Sequence, residues 1–418
     1  MANQPSNLEH LLRNEAPQVL GALVRRFGHF DIAEDAVQDA LLAAAQQWRS
    51  TGIPDHPRGW LIRVGYRRMV DQLRANEVRH RHEYELASQP TPAPLEEANA
   101  DDSLTLLFLC CHPALNPVSQ VALTLRAVGG LTTTEIAHAY GVTEVAMGQR
   151  ISRAKQQIKS AGGRFVLPLA EDRDNRLAAV LQVLYLIFNE GYAATAGEQL
   201  HRVDLTSEAI RLTRMLHRLL PDEPEVTGLL ALMLLTDARR LARMDAAGDL
   251  ITMEHQDRDR WDRTLTAEGT ALITDAMRRR RQVGPYQLQA AIAAVHNGAP
   301  SYSETDWPRI ASLYAWLERL IPTPPIRLSR AVAVAMAHGP RRGLALLDTL
   351  ADDPLSRQRE RAVRAHLLEL AGDSQQAVAL YREAAALTRN LAERRYLEQR
   401  AHALTKECGP VEDRPSTS

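Results

Sequence analysis

A chain of 418 residues is too long for a single ordinary core, and its 45% hydrophobic content is enough to fill two or three. A formal net charge of −1 argues for neither an acidic tail nor global basicity, although local fields can still be strong. Three cysteines, two of them adjacent at Cys110 and Cys111, exclude a disulfide framework and point to a reducing compartment. The opening MANQPSNLEH has neither a basic nor an apolar leader region, and no uncharged run is long enough for a bilayer. The expectation is a cytoplasmic protein with no membrane segment.

In chain order, apolar residues recur at helical spacing from the start, as Leu8, Leu11, Leu12 and then Val19, Leu20, Leu23, Val24. Strand alternation is sparse, so the expected fold class is all-α, with breaks marked by Gly28, Pro54, Gly141, Pro168, Pro221 and Pro285. The stretch DIAEDAVQDALLAAAQQW, residues 31–48, predicts a helix with a mixed acidic and amide face of Glu34, Asp35, Gln38 and Asp39. Such a face suits a basic or polar protein partner, and it is also common on solvated surface helices. Next, PRGWLIRVGYRRMVDQLR (residues 57–74) sets Trp60, Leu61, Val64, Met69 and Leu73 beside Arg63, Arg67, Arg68 and Arg74. From Arg58 to Arg81 seven arginines face two acidic residues, and from Arg150 to Arg164 five bases face none. A polyanion would bind at those two stretches. Lysine occurs only at positions 155, 159 and 406, so the local charge is mostly arginine, whose planar fork fits phosphate and guanine.

Residues 83–102, EYELASQPTPAPLEEANADD, are acidic and Pro-rich and read as a flexible linker between helical units at 8–82 and 103–165. A Leu- and Ala-rich third part, 170–405, precedes a polar tail, 406–418, expected to be disordered. The third part carries a repeat. At an offset of 34 residues, Ala331, Val334, Gly343, Leu347 and Leu350 fall on Ala365, Leu368, Ala377, Tyr381 and Ala384, and Ala345-Leu346 recurs as Ala379-Leu380. That is the period of a tetratricopeptide-type helix hairpin.

The most informative segment is LTTTEIAHAYGVTEVAMGQRISRAKQQIK, residues 131–159. Thr132 and Glu135 have capping-box spacing, Ile136 and Ala137 face inward, and Gly141 suits a tight turn. Thr143 then caps a second helix that presents Glu144, Ala146, Gln149, Arg150 and Arg153 outward, with Val145, Ile151 and Ile158 packed inside. A helix-turn-helix of this kind lays its second helix in the major groove, where Thr143, Glu144, Ala146, Gln149, Arg150 and Arg153 reach DNA and Arg150, Arg153, Lys155 and Lys159 contact phosphates. An ordinary helical hairpin with a solvated face is the plain alternative.

In this order the three segments resemble an extracytoplasmic-function sigma factor of the sigma-70 family. The resemblance implies that AEDAVQDALLAAAQQW docks on the clamp coiled coil of core RNA polymerase through Asp35, Gln38 and Asp39. It also implies that Trp60, Arg63, Arg67, Arg68 and Arg74 engage the melted −10 promoter strand, with a flipped base held near Ser50 to His56. Residues 131–159 would read the −35 element. Further matches at LLFLCCHPALNPVSQVALTLRAVGGLTTTEIA, LYLIFNEGY (184–192), QDRDRWDR (256–263) and GPYQLQAAIAA (284–294) resemble a subgroup with a long tetratricopeptide-like C-terminal domain. The resemblance implies regulation built into the chain, and the expectation that follows is that this domain packs on the sigma domains and alters their access to polymerase. Two departures touch promoter readout. Ala146-Met147-Gly148-Gln149-Arg150 stands where relatives have Thr-Val-Lys-Ser-Arg, and Arg67 stands where many carry a polar residue.

Other clusters read more plainly. Cys110-Cys111-His112 lacks metal-ligand spacing and reads as small buried residues ending a helix before Pro113. Asn189-Glu190-Gly191-Tyr192 and Asp257 to Asp262 are either a ligand pocket, a face gripping the sigma domains, or a loop and a charged turn pinned by Trp261. Gly284-Pro285-Tyr286-Gln287 opens a helix. No nucleophile elbow, metalloprotease, P-loop or dinucleotide motif is present, so neither an enzyme nor a cofactor is expected. A ligand-responsive helix-turn-helix regulator would explain residues 131–405 but leaves the helix at 31–48 without a role. A protein-interaction scaffold is the third class.

Overall fold

The computed structural model of the chain describes residues 4–80, 100–163, 165–192, 203–245, 248–279, 282–350, 356–388 and 390–407. Among these residues the secondary structure is helical, apart from an isolated antiparallel bridge between Met244 and Leu250. No described helix is long and apolar enough to cross a membrane. The chain divides into two compact units, 1–187 and 188–418.

The first unit opens with α1 (Gln4–Phe27), α2 (Phe30–Thr51) and α3 (Pro57–His80), which pack pairwise. Helical spacing puts Val19, Leu23, Ala33, Val37, Leu61 and Met69 on the shared faces, each at most 2% exposed. Helix α4 (Ala100–Cys110) returns against α1. The last residue of the expected linker, Asp102, is therefore not linker: it is buried in α4 and paired with Arg25 at 3.2 Å. Residues 83–99 of that linker lie outside the described residues, as does the tail beyond Glu407. Helices α5 (Pro117–Ala127), α6 (Thr133–Ala139) and α7 (Glu144–Ser160) complete a second helical cluster that packs on the first through α1 and α2. Helix α8 (Ala170–Tyr192), expected to belong wholly to the third part, contains the boundary between the two units.

In the second unit, α9 (Val203–Leu219) and α10 (Pro224–Asp237) are followed by 3-10 turns at Arg240–Ala242 and Arg258–Arg260, then α11 (Arg263–Arg278) and α12 (Pro285–Gly298). Helix α10 is apolar on every side and packs against α9, α11 and α12, so it is buried from Val226 to Leu235. The rest is a run of paired helices: α13 (Trp307–Leu320), α14 (Pro324–His338), α15 (Pro340–Leu347), α16 (Arg357–Leu370), α17 (Ser374–Leu387) and α18 (Leu391–Glu407). The 34-residue offset carries α14 onto α16 and α15 onto the start of α17. Ala331, Ala365 and Ala377 are fully buried, and a Cβ at Gly343 would stand 2.6 Å from the Ala331 carbonyl oxygen. The small residues of the repeat are thus where paired helices approach most closely.

His296 on α12 meets the Trp307 ring edge-on at 5.2 Å. Burial first, then the nearby Arg239 and Arg258 guanidinium groups, push its pKa from 6.5 down to about 4. Folding thus holds this imidazole neutral where the unfolded chain would be protonated. Its contribution is complete above pH 6.5 and is lost as pH falls through 4, a difference of about 3 kcal/mol. Denaturant unfolding between pH 7 and 4 should show that decline, and His296→Gln should flatten it. An unchanged slope in the variant would refute the assignment to His296.

Candidate polymerase- and nucleic-acid-binding surfaces

Helix α3 presents Arg63, Arg67, Arg68 and Arg74 to solvent while Leu61, Ile62 and Met69 are buried beneath them. Positions 60, 63, 67 and 74 recur at three, four and seven residues, so Trp60 and three of the arginines share one face. Trp60 is half-buried, set edge-on against the buried Trp48 at 5.2 Å, which fixes the start of the helix. The preceding loop, Ser50 to His56, is open, with Ile53 exposed. Arg58 belongs elsewhere: its Nε donates to Glu15 at 2.6 Å.

The helix-turn-helix forms as its capping residues dictate. Thr132 Oγ1 accepts from the Glu135 amide, and Glu135 accepts in return from the Thr132 amide at 2.7 Å. Gly141 has φ +61°, the left-handed conformation the turn requires, and Thr143 caps α7 by accepting from the Ala146 amide. Thr143, Glu144, Ala146, Gln149 and Arg153 are exposed and Arg150 is half-buried, so these candidates share the open side of α7. One inward assignment is corrected. Val145 is 70% exposed, and the inward residue is Met147 at 1%, joined by Ile151, Ala154 and Ile158. The phase follows from the 3.6-residue turn counted back from Ile151, which passes through 147.

Gly148, in the middle of α7, has ordinary helical geometry, and a Cβ there would touch only the Thr133 methyl at 3.8 Å. Gly148→Ala should therefore raise stability by about 1 kcal/mol, read as a higher melting temperature. A drop would show that the space is not free.

Lys155 does not lie on the open side. Its side chain is 11% exposed, and Nζ donates to Glu34 at 2.9 Å and Asp35 at 3.0 Å. Glu34, read from sequence as part of a free acidic face, is 1% exposed and also accepts from Arg126 at 2.6 Å. Burial by itself would lower the Lys155 pKa; the two carboxylates outweigh it and raise the value above its ordinary range. Around this buried centre lie Arg13 with Glu135 at 2.9 Å and Lys159 with Asp31 at 3.6 Å. Asp35 and Asp39, two of the three expected polymerase contacts, are exposed, and Gln38, the third, is half-buried. The structure thus joins an expected polymerase contact, Asp35, to an expected DNA contact, Lys155. Arg126 was not picked out from sequence; its only signal is a lone charge inside the apolar run VALTLRAV.

The clusters at 110–112, 189–192 and 284–287 are packing features. Cys110 and Cys111 are fully buried, and burial pushes both thiols up, Cys111 to about 12. Tyr192 stacks on Phe188 and lies under the Arg243 guanidinium, 3.8 Å from its ring centre. Gly284 opens α12, and Gln287 accepts from its amide at 3.0 Å.

Comparison with known proteins agrees with this geometry. Residues 11–79 match the family described as Sigma-70 region 2, residues 105–158 match Sigma-70, region 4, and residues 176–277 match a family of unknown function, DUF6596. The two N-terminal helical clusters are the two conserved domains of a bacterial transcription initiation factor. The chain belongs to the extracytoplasmic-function branch of the sigma-70 family of RNA polymerase sigma factors. It is 42% identical over 407 residues to an uncharacterised protein, R00370, of Rhizobium meliloti (strain 1021), covering 94% of this chain and 95% of that one. It is 27% identical over 144 residues to the probable ECF RNA polymerase sigma factor SigI of Mycobacterium tuberculosis, 33% of this chain and 49% of SigI. It is also 31% identical over 125 residues to the ferric citrate uptake sigma factor FecI of Escherichia coli, 29% of this chain and 71% of FecI. No solved structure matches.

Proposed function

We propose that this sigma factor recruits core RNA polymerase through Asp35, Gln38 and Asp39 on α2, and opens promoters with the arginine face of α3. Trp60, Arg63, Arg67, Arg68 and Arg74 take the −10 strand, with unstacked bases paid for by contact to the aromatic and guanidinium groups. Thr143, Glu144, Ala146, Gln149, Arg150 and Arg153 read the −35 duplex. Lys155 acts differently, as a tether that holds the −35 domain against α2 until polymerase is bound. The observation that supports this reading is the exposed arginine row on α3 in the same sigma-70 chain as a capped helix-turn-helix. The C-terminal unit modulates access to these surfaces, acting on the sigma domains within the same chain.

Abortive transcription with purified core polymerase separates the roles. Asp39→Arg should lose core binding. Arg63→Ala with Arg67→Ala should bind core normally and fail to form the open complex. Full open-complex formation by the double variant would overturn the −10 assignment.

A further inference from the structure

We infer that the second unit contains a binding site for a small oxyanion-bearing molecule, centred on Arg239, Arg258 and Trp261. The two guanidinium groups lie over the same indole, 5.8 and 4.4 Å from the Trp261 ring centre. Each is half-buried, and among the described residues neither has a carboxylate at ion-pair distance; Glu304 acts on Arg258 only from further away. Asp237, two residues before Arg239, pairs with Arg240 instead, while Asp257 and Asp259, which flank Arg258, accept from the Asp259 amide and from Arg263 respectively. Asp262, next to Trp261, is used in capping α11. Two like charges therefore share a poorly solvated place with no carboxylate at ion-pair distance among the described residues. Buried charges are ordinarily paired or bound to a ligand, because an uncompensated one costs several kcal/mol.

Hydrogen-bonding capacity points the same way. Arg258 Nη1 donates to the carbonyls of His296 and Ala299 at 2.8 and 2.7 Å, which fixes the guanidinium in place. Its Nη2, Arg239 Nε and Trp261 Nε1 are buried donors with no acceptor. Three unsatisfied donors belonging to one doubly positive cluster call for acceptor oxygens on a negatively charged group. Arg258, Trp261 and Asn297 also line an open groove of about 790 Å³, whose wall includes Asp259 and Asp275 and does not include Arg239. His296, neutral beside the arginines, adds no third positive charge at neutral pH and leaves Nδ1 unpaired. The segment 256–263 thus builds a charged cradle rather than a solvated turn.

The test uses the full-length chain at pH 7.5, titrated separately with inorganic phosphate and with citrate at ionic strength held constant by chloride. A saturable rise in melting temperature, with heat of binding by calorimetry, is expected for one of the two anions. Phosphate alone would define a phosphate-bearing ligand, and citrate alone a carboxylate. Arg239→Met should weaken that binding at least tenfold while leaving the melting temperature in chloride unchanged or higher, since it removes an unpaired like charge. Arg258→Met should also lose binding but melt lower, because it breaks two carbonyl contacts. No saturable effect of either anion, or an equal effect in Arg239→Met, would overturn the site.

Discussion

Glu34→Gln should separate the two sigma domains. Glu34 is the only described carboxylate that bonds both Arg126 and Lys155, and it does so at 1% exposure. An amide of the same shape keeps the packing but removes the charge, leaving two desolvated cations facing a neutral group. Breaking one side of such a buried set costs about 3–5 kcal/mol, which is a shift of roughly a hundredfold to several thousandfold toward the separated state. Amide hydrogen exchange should rise across α5 and α7 while the capping box of α6 stays protected. If separation precedes polymerase docking, the variant should also bind core polymerase more tightly than wild type. A double-mutant cycle with Arg126→Gln should return a coupling energy well above that of a surface pair. Unaltered exchange and affinity would mean that the contact carries no energetic weight. The contact also has a defined pH dependence. Lys155 has a raised pKa, so its contribution is fully present below the ordinary lysine range and is lost only as pH rises through the raised value. Acidification to pH 6 should leave the lysine side of this contact intact.

Two substitutions on α7 should act with opposite signs. Arg150→Ala removes a group on the open side of the helix and should weaken −35-dependent binding by about 1–3 kcal/mol, or roughly tenfold to a hundredfold. Lys155→Ala removes a side chain engaged with Glu34 and Asp35 and should raise promoter output instead. Both lose one positive charge from the same helix, so a nonspecific loss of electrostatic attraction would lower both. Electrophoretic mobility shift with holoenzyme, on promoters with intact and scrambled −35 elements, distinguishes the cases. The log-log salt slope should become shallower by about one for Arg150→Ala and stay unchanged for Lys155→Ala. Equal losses in both variants would place Lys155 on DNA and refute its role as a tether.

Local features of this protein were readable from sequence because they depend on neighbours a few residues away. The capping box at Thr132 and Glu135, the left-handed Gly141 and the exposed arginines of α3 all follow from side-chain chemistry and helical period. The 34-residue offset likewise foretold the pairing of α14 with α15 and of α16 with α17, since small residues must recur where helices nearly touch. Val145 shows the limit of pattern reading. Two apolar residues, Val145 and Met147, compete for the inward position, and only packing against the neighbouring helices selects Met147. Asp102 reads as linker by composition, yet it is held in α4 by Arg25, more than seventy residues earlier in the chain.

Sequence alone therefore determined the helical class, the sigma-family segments and the open side of α3, and only part of the open side of α7. Tertiary structure decided which charges are available. Glu34, Arg126 and Lys155 look like surface charges in three separate helices, and they become one buried set because α2, α5 and α7 converge. The same holds for Arg239 and Arg258, which look like ordinary surface arginines in sequence and have no ion-pair partner among the described residues once folded around Trp261. A charge is worth little in water and a great deal when desolvated, and its solvation is a property of the fold rather than of the residue.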